Sequence, residues 1–234
     1  MKKQPKIVAI IPARGGSKSI PHKNIVDFCG KPLLAWSILQ AKGAALVDEI
    51  YVSTDDEAVA MVAKKYGAKI ISRPADISGD TATSESALEH AVSCIKEHEA
   101  FEIEYVVFLQ ATSPLRESSD VDNAIRAMKK EKADSLFSGA PIGDFYIWVK
   151  QNSALRSINY DYKNRKRRQE YGEQFVENGS IYIFKPEVLA EFHNRLGAKI
   201  AISPMEFWKS FEVDNREDLE FCKSLFMLKE LDKK

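Results

Sequence analysis

The stretch Ile7-Val8-Ala9-Ile10-Ile11-Pro12-Ala13-Arg14-Gly15-Gly16-Ser17-Lys18-Ser19-Ile20-Pro21-His22-Lys23-Asn24 decides the fold. Ile7 to Ile11 is apolar, mostly β-branched and too short for a helix, which predicts a buried strand closed by Pro12. The strand empties into a loop in which Gly15 and Gly16, lacking a Cβ, allow close backbone approach and positive φ. Successive N–H groups in such a loop form an anion-binding concavity. Arg14 can grip phosphate oxygens with two parallel bonds, while Lys18 and Lys23 act as point charges. A nucleotide-using α/β enzyme is the first expectation; a plain surface turn has the same composition. Two familiar phosphate motifs are excluded. In G-x-x-x-x-G-K-[ST] a glycine must precede the lysine, and here Ser17 precedes Lys18. G-x-G-x-x-G fails because the next glycine is Gly30.

Outward from this loop, strand-like and helix-like segments alternate. The pattern predicts helices over Leu33–Ala44, Glu57–Tyr66, Thr83–Glu97 and from a cap at Ser119 or Asp120 to Lys132. It predicts strands over Glu49–Ser53, Ala68–Ser72, Tyr105–Leu109 and Asp134–Ser138. This order implies a Rossmann-like, mostly parallel sheet with helices on both faces, whose ligands sit beyond the carboxyl ends of strands. The opening loop, Ser53-Thr54-Asp55 and Gln110-Ala111-Thr112-Ser113-Pro114 all fall at such ends. After Gly139 the rhythm changes. The β-prone run Phe145–Val149 and the basic cluster Lys163, Arg165, Lys166, Arg167 and Arg168 lie in an excursion over 140–178. A strand from Ser180 to Phe184, a short helix from Pro186, a strand over Ala198–Ser203 and a final helix from Asn215 or Arg216 to Lys229 follow. Residues 1–139 and 179–234 are therefore expected to form one nucleotide-binding domain, with 140–178 inserted.

Composition narrows the partners. The 234 residues carry 34 basic and 34 acidic side chains, so the net charge is zero, which argues against a general nucleic-acid or membrane binder. Anion binding must come from local clusters. Three widely spaced cysteines suggest neither a disulfide framework nor a zinc site. No apolar run approaches a membrane span or a signal peptide, and the expected location is the cytoplasm.

Taken in order, the segments resemble the acylneuraminate cytidylyltransferases, also called CMP-sialic acid synthetases. The likeness runs almost end to end. It is carried by Ile11–Lys18, Pro21-His22-Lys23-Asn24, Val52-Ser53-Thr54-Asp55, Arg73-Pro74-Ala75-Asp76 and Asp80-Thr81-Ala82-Thr83-Ser84. Leu109–Arg116, Arg168-Gln169, Glu177–Tyr182 and Glu212-Val213-Asp214 complete it. The resemblance implies a nucleotidyltransferase fold of the GT-A-like type. It implies transfer of CMP from CTP to the anomeric 2-hydroxyl of an acidic nine-carbon 2-keto sugar, with release of pyrophosphate.

It also implies residue roles. Arg14, Lys18 and Lys23 would hold the CTP phosphates, with Asn24 beside them and Ala13, Gly15, Gly16 and Ser17 supplying the loop. Arg73 and Ser84 would hold the cytidine. Gln110, Thr112 and Arg168 would face the sugar. Asp214 and Glu212 would coordinate Mg²⁺, or another divalent cation such as Mn²⁺; the family commonly carries Asp-x-Asp there. The excursion would form a homodimer. It lacks the family's His-Pro element near the sugar, so legionaminic, pseudaminic and deaminated nonulosonic acids stay open beside sialic acid, and the eight-carbon 3-deoxy-octulosonate defines the nearest sister activity. A nucleotide-sugar glycosyltransferase would instead place its acidic pair in mid-chain, and a nucleic-acid binder would need more than the 163–168 cluster.

Overall fold

The computed structural model describes residues 4–143, 145–167 and 170–231. Its centre is a seven-stranded sheet in the order β11-β7-β10-β6-β1-β4-β5. The strands are β1 (Pro5–Pro12), β4 (Glu49–Thr54), β5 (Lys69–Ser72), β6 (Glu102–Leu109), β7 (Ser135–Pro141), β10 (Phe175–Phe184) and β11 (Ile200–Pro204). Every ladder in this sheet is parallel except the two made by β10. A mostly parallel sheet must be covered on both faces, and the alternation of side chains along β1 shows how. Ile7, Ala9 and Ile11 join Val107 and Leu109 of β6 in one buried cluster. That cluster is covered by α1 (Leu33–Gly43), α2 (Glu57–Tyr66) and α4 (Ser118–Glu131). Val8, Ile10, Val106 and Phe108 point the other way, toward α3 (Ser84–His98) and α5 (Pro186–Phe192).

A third cluster sits at the carboxyl edge. Ile20, Phe28, Leu33, Leu115, Val213, Leu219 and Cys222 pack together, the last two from α6 (Arg216–Leu231). Ile20 belongs to the opening loop and Val213 lies between Glu212 and Asp214. One apolar contact set therefore fixes the loop and the acidic pair relative to each other. Phe28 enters through a two-stranded turn, β2 (Asp27–Phe28) and β3 (Lys31–Pro32), which the hydrophobic pattern does not reveal. Cys29 and Gly30 both have positive φ there, 49° and 81°, the backbone that a tight two-residue hairpin demands.

The predicted elements recur with shifted ends. The α2 range is as expected: Asp56 accepts from Val59 N at 2.9 Å and Gly67 ends the helix at φ 97°. The expected cap of α4 is corrected from Ser119 or Asp120 to Glu117. Asp120 instead reaches back to accept from Glu117 N at 2.7 Å, as a capping box requires. The run Phe145–Val149 is not one strand. The ladder is β8 (Trp148–Gln151) with β9 (Ala154–Ser157), extended by Ile158 N donating to Ile147 O at 2.9 Å, while Phe145 stacks on Phe207 at 5.5 Å. Strand β10 begins at Phe175, five residues before the expected Ser180, with a register shift between Glu177 and Tyr182. The three cysteines are free. Among the described residues no helix is long and apolar enough to cross a membrane.

The connection after α1 is held by a buried carboxylate. Asp122 of α4 accepts from Ala45 N at 3.1 Å and Leu46 N at 2.9 Å. Asp122→Ala strands both donors, and such losses cost about 1–3 kcal/mol per unmet group. Urea unfolding of this variant is expected to show a loss of about 2 kcal/mol or more, with Asp122→Asn retaining part of it.

Candidate nucleotide-binding site

Three loops meet beyond the carboxyl ends of β1, β4 and β6. Ala13 N donates to Ser53 O at 2.9 Å, and Gly15 N donates to Asp55 Oδ1 at 3.1 Å. The loops after β1 and β6, with the segment that follows β5, border a cleft of about 420 Å³, while the β4 loop holds the β1 loop through these two bonds without lining the cleft itself. Of the residues singled out in the sequence, Arg14, Gly16, Ser17, Lys18, Lys23, Asn24, Arg73, Ser84, Gln110 and Thr112 all line it. Ala13 lies beneath, 2% exposed, and serves the loop only through its backbone. Arg168 lies outside the described residues.

The glycines act by close approach rather than by unusual dihedrals. Neither Gly15 nor Gly16 has positive φ, which corrects the expectation for them. At Gly15 a Cβ would come within 2.5 Å of Asp56 Oδ2, the carboxylate that caps α2. No other residue lets the loop pass this helix start. Asn24 then ties the loop to itself, donating from Nδ2 to Arg14 O at 2.8 Å.

The cations are already engaged. Arg14 Nη1 donates to Gly79 O at 2.8 Å and sits 3.1 Å from Asp80 Oδ1. Lys18 Nζ is 2.7 Å from Asp80 Oδ2, and Lys23 Nζ is 3.0 Å from Asp214 Oδ1. Hydrogen bonding to Lys18, with the charges of Lys18 and Arg14, holds the Asp80 carboxyl below the usual carboxylate range. Arg73 is different. It is only 7% exposed, its Nε and Nη2 have no hydrogen-bond partner, and its contact to Asp55 is an ion pair at 3.6 Å. Burial lowers its pKa, with Asp55 opposing. A buried guanidinium with unmet donors on a cleft wall is costly unless a ligand completes it.

The acidic pair does not line the cleft itself but touches two residues that do, Asp214 through Lys23 and Glu212 through Thr112. Val213 N donates to Thr112 O at 2.8 Å, which pins the pair to the loop after β6. Glu212 lies against Thr112, 3.5 Å from its Oγ1, and against Gly179. Burial, reinforced by Asp214, pushes the Glu212 carboxyl up to about 7; Arg116 pulls the other way. Asp214 is the exposed member, and Ser19 Oγ donates to its backbone carbonyl. Among the described residues no group of three or more His, Cys, Asp or Glu is arranged to hold a metal. Two carboxylates nonetheless suit a cation that takes its remaining ligands from phosphate and water.

Two residues of matched motifs carry weight that their motifs did not announce. Arg116 is fully buried, donating from Nη1 to Ser180 O at 2.9 Å and from Nη2 to Gln110 O at 2.8 Å. A further bond joins it to Ser37 Oγ in α1. Burial pulls its pKa down to about 9, so it stays charged at neutral pH. Asp80 is the other, facing two loop cations at once. Their signal was an ionisable residue inside an ordered motif with no ligand role attached.

Comparisons with known proteins identify the family and the fold. The family model described as "Cytidylyltransferase" matches residues 8–233. A pseudaminic acid cytidylyltransferase of Campylobacter jejuni is 32% identical over 94% of this chain and 96% of its own length. An N-acylneuraminate cytidylyltransferase A of Danio rerio is 34% identical over 81% of this chain, which spans 44% of that longer protein. The structure of a CMP:2-keto-3-deoxy-manno-octonic acid synthetase complexed with CTP has a TM-score of 0.70 at 20% identity, covering 96% of this chain and 99% of that one. That likeness shows the fold.

Gly179 is the tightest point of the site. Its φ is +67°, and a Cβ there would fall on Glu212 Oε1 and come 2.8 Å from Gln110 Nε2. Gly179→Ala combines a left-handed backbone cost of about 1–2 kcal/mol with displacement of both side chains. A lowered melting temperature together with weakened nucleotide binding in calorimetry is the expected result.

Proposed function

The chain belongs to the cytidylyltransferase family, and from that premise we propose that it transfers CMP from CTP to the anomeric 2-hydroxyl of an acidic nine-carbon 2-keto sugar, releasing pyrophosphate. The observation that carries this reading is the convergence of Arg14, Lys18, Lys23 and Arg73, whose guanidinium has unmet donors, on one cleft, with Asp214 paired to Lys23 at its border. A glycosyltransferase reading would need a mid-chain acidic pair at the cleft, but Asp120-Val121-Asp122 lies on α4, where Asp120 closes the capping box and pairs with Lys209 and Asp122 holds Ala45 N and Leu46 N, and neither lines the cleft.

In this reading the loop cations hold the triphosphate, which brings about four negative charges, and stabilise the pyrophosphate as it leaves. Arg73 and Ser84 hold the cytidine. The sugar hydroxyl attacks the α-phosphate in line with the leaving group, so no protein nucleophile is required and rate comes from positioning and charge. The Gln110 amide and Thr112 hydroxyl orient the sugar, and Arg168 supplies a guanidinium for its carboxylate. Asp214 and Glu212 would hold Mg²⁺, or Mn²⁺ in its place. The fit is supported by two carboxylates two residues apart, Glu212 against Thr112 and the exposed Asp214 beside Lys23. When bound, the ion would offset charge on the phosphate oxygens.

The relatives just described are named for pseudaminic acid and for N-acylneuraminate, so the sugar proposed here is a nonulosonic acid of one of these classes. A homodimer through 140–178 belongs to the same reading. Leu155, Phe145, Ile158 and Tyr162 are each more than half exposed, an apolar surface larger than scattered single residues would make. Action in the cytoplasm, where CTP is available, completes it.

Purified protein with CTP, Mg²⁺ and a panel of sialic, legionaminic, pseudaminic, deaminated nonulosonic and 3-deoxy-octulosonic acids is expected to release pyrophosphate with at least one nine-carbon acid. EDTA should abolish release. No release with any nonulosonate from folded protein would overturn the proposal. Arg14→Ala and Asp214→Ala are expected to lower turnover by about a hundredfold or more, as loss of a charge-stabilising group does, with unchanged far-UV circular dichroism. Near-normal rates in both would misplace the site. Sedimentation at micromolar concentration should give twice the monomer mass.

A further inference from the structure

Arg14 and Lys18 meet one carboxylate. Asp80 Oδ1 lies 3.1 Å from Arg14 Nη1, and Asp80 Oδ2 lies 2.7 Å from Lys18 Nζ. All three residues line the same cleft. Asp80 reaches it from the segment after β5, far along the chain from the loop. This is not a buried structural pair, because the Asp80 side chain is 50% exposed and that of Lys18 80%. Each oxygen is spent on a different cation, the pattern by which two oxygens of a phosphate chain would engage them. A pair this exposed is weakly held and readily exchanged for a better anion.

We propose that Asp80 is a resident competitor for the phosphate-binding cations, one that a polyphosphate must displace and that returns to Arg14 and Lys18 as pyrophosphate leaves. The proposal rests on the reading of this cleft as the triphosphate site. Competition of this kind raises the apparent dissociation constant of every anion that needs both cations by one common factor. An anion that offers little beyond what the carboxylate offers then falls below useful occupancy. A nucleoside triphosphate does not, because it adds contacts to Lys23, Arg73 and the loop backbone. The same competition hastens departure of the product, since the cations never have to be left unpaired. Asp80 stays ionised throughout the neutral range, its carboxyl being held low by the two cations it faces.

The rival interpretation is that Asp80 merely holds the Arg14 and Lys18 side chains in binding positions, in which case its loss weakens anion binding. Isothermal titration of the full chain with inorganic pyrophosphate and, separately, with CTP decides between them. For Asp80→Asn we expect both probes to bind about fivefold tighter than to the wild type, the size expected for releasing two exposed ion pairs, with stronger product inhibition by pyrophosphate. Asp80→Glu should return toward the wild-type value, and Asp80→Ala repeats the charge removal without an amide. Equal or weaker pyrophosphate binding by both Asp80→Asn and Asp80→Ala overturns the proposal. Wild-type protein that binds neither CTP nor pyrophosphate overturns instead the reading of the cleft on which it rests.

Discussion

The guanidinium of Arg116 reaches the Gln110 carbonyl, the Ser180 carbonyl and the Ser37 hydroxyl from a position with no water around it. Those three groups belong to the loop after β6, to the one antiparallel strand and to the first helix. A parallel sheet leaves carbonyls at its carboxyl edge that cannot find partners in the next strand, and a buried site cannot leave them bare. One charged side chain with a rigid fork of donors meets several of them at once. Its isolation is relieved by the nearby charges of Glu212 and Asp120. Glu212 of the acidic pair therefore also helps keep the arginine charged, and the frame of the candidate site and its border share one electrostatic network.

A protein of zero net charge that binds a polyanion faces a second constraint. Cations gathered at one spot repel one another unless counterions are close. Asp80 serves Arg14 and Lys18, Asp214 serves Lys23, and Asp55 serves Arg73 at longer range. Arg73 has unmet donors because its counterion is too far for a hydrogen bond. The resting site thus sets four cations against three carboxylates, and ligand binding largely exchanges partners rather than neutralising bare charge.

Much of this was legible in the sequence where local physics dictates structure. The α2 boundaries follow from Asp56 and Gly67, residues whose capping chemistry acts within one turn. The mostly parallel sheet and the placing of polar loops at its carboxyl edge follow from alternation of strand and helix. What was not legible depends on distant partners. The need for glycine at position 15 comes from the Asp56 side chain, and the buried role of Arg116 from carbonyls contributed by other segments. The Cys29-Gly30 turn has too few residues to set up a period. In the excursion, Phe145 left the expected strand because stacking on Phe207 outweighs a β propensity that no neighbouring strand there rewards.

The excursion departs at Pro141 and returns at Phe175, and these two residues face each other across the β7–β10 ladder. Its ends are therefore neighbours in the sheet, and the sheet's hydrogen bonding does not depend on what lies between them. Such an arrangement behaves as a cassette. Its contents can lengthen, shorten or be exchanged between relatives while the phosphate loop, Arg116 and the acidic pair keep their places. If the excursion carries sugar choice and subunit pairing, as proposed above, both can diversify without disturbing the sheet.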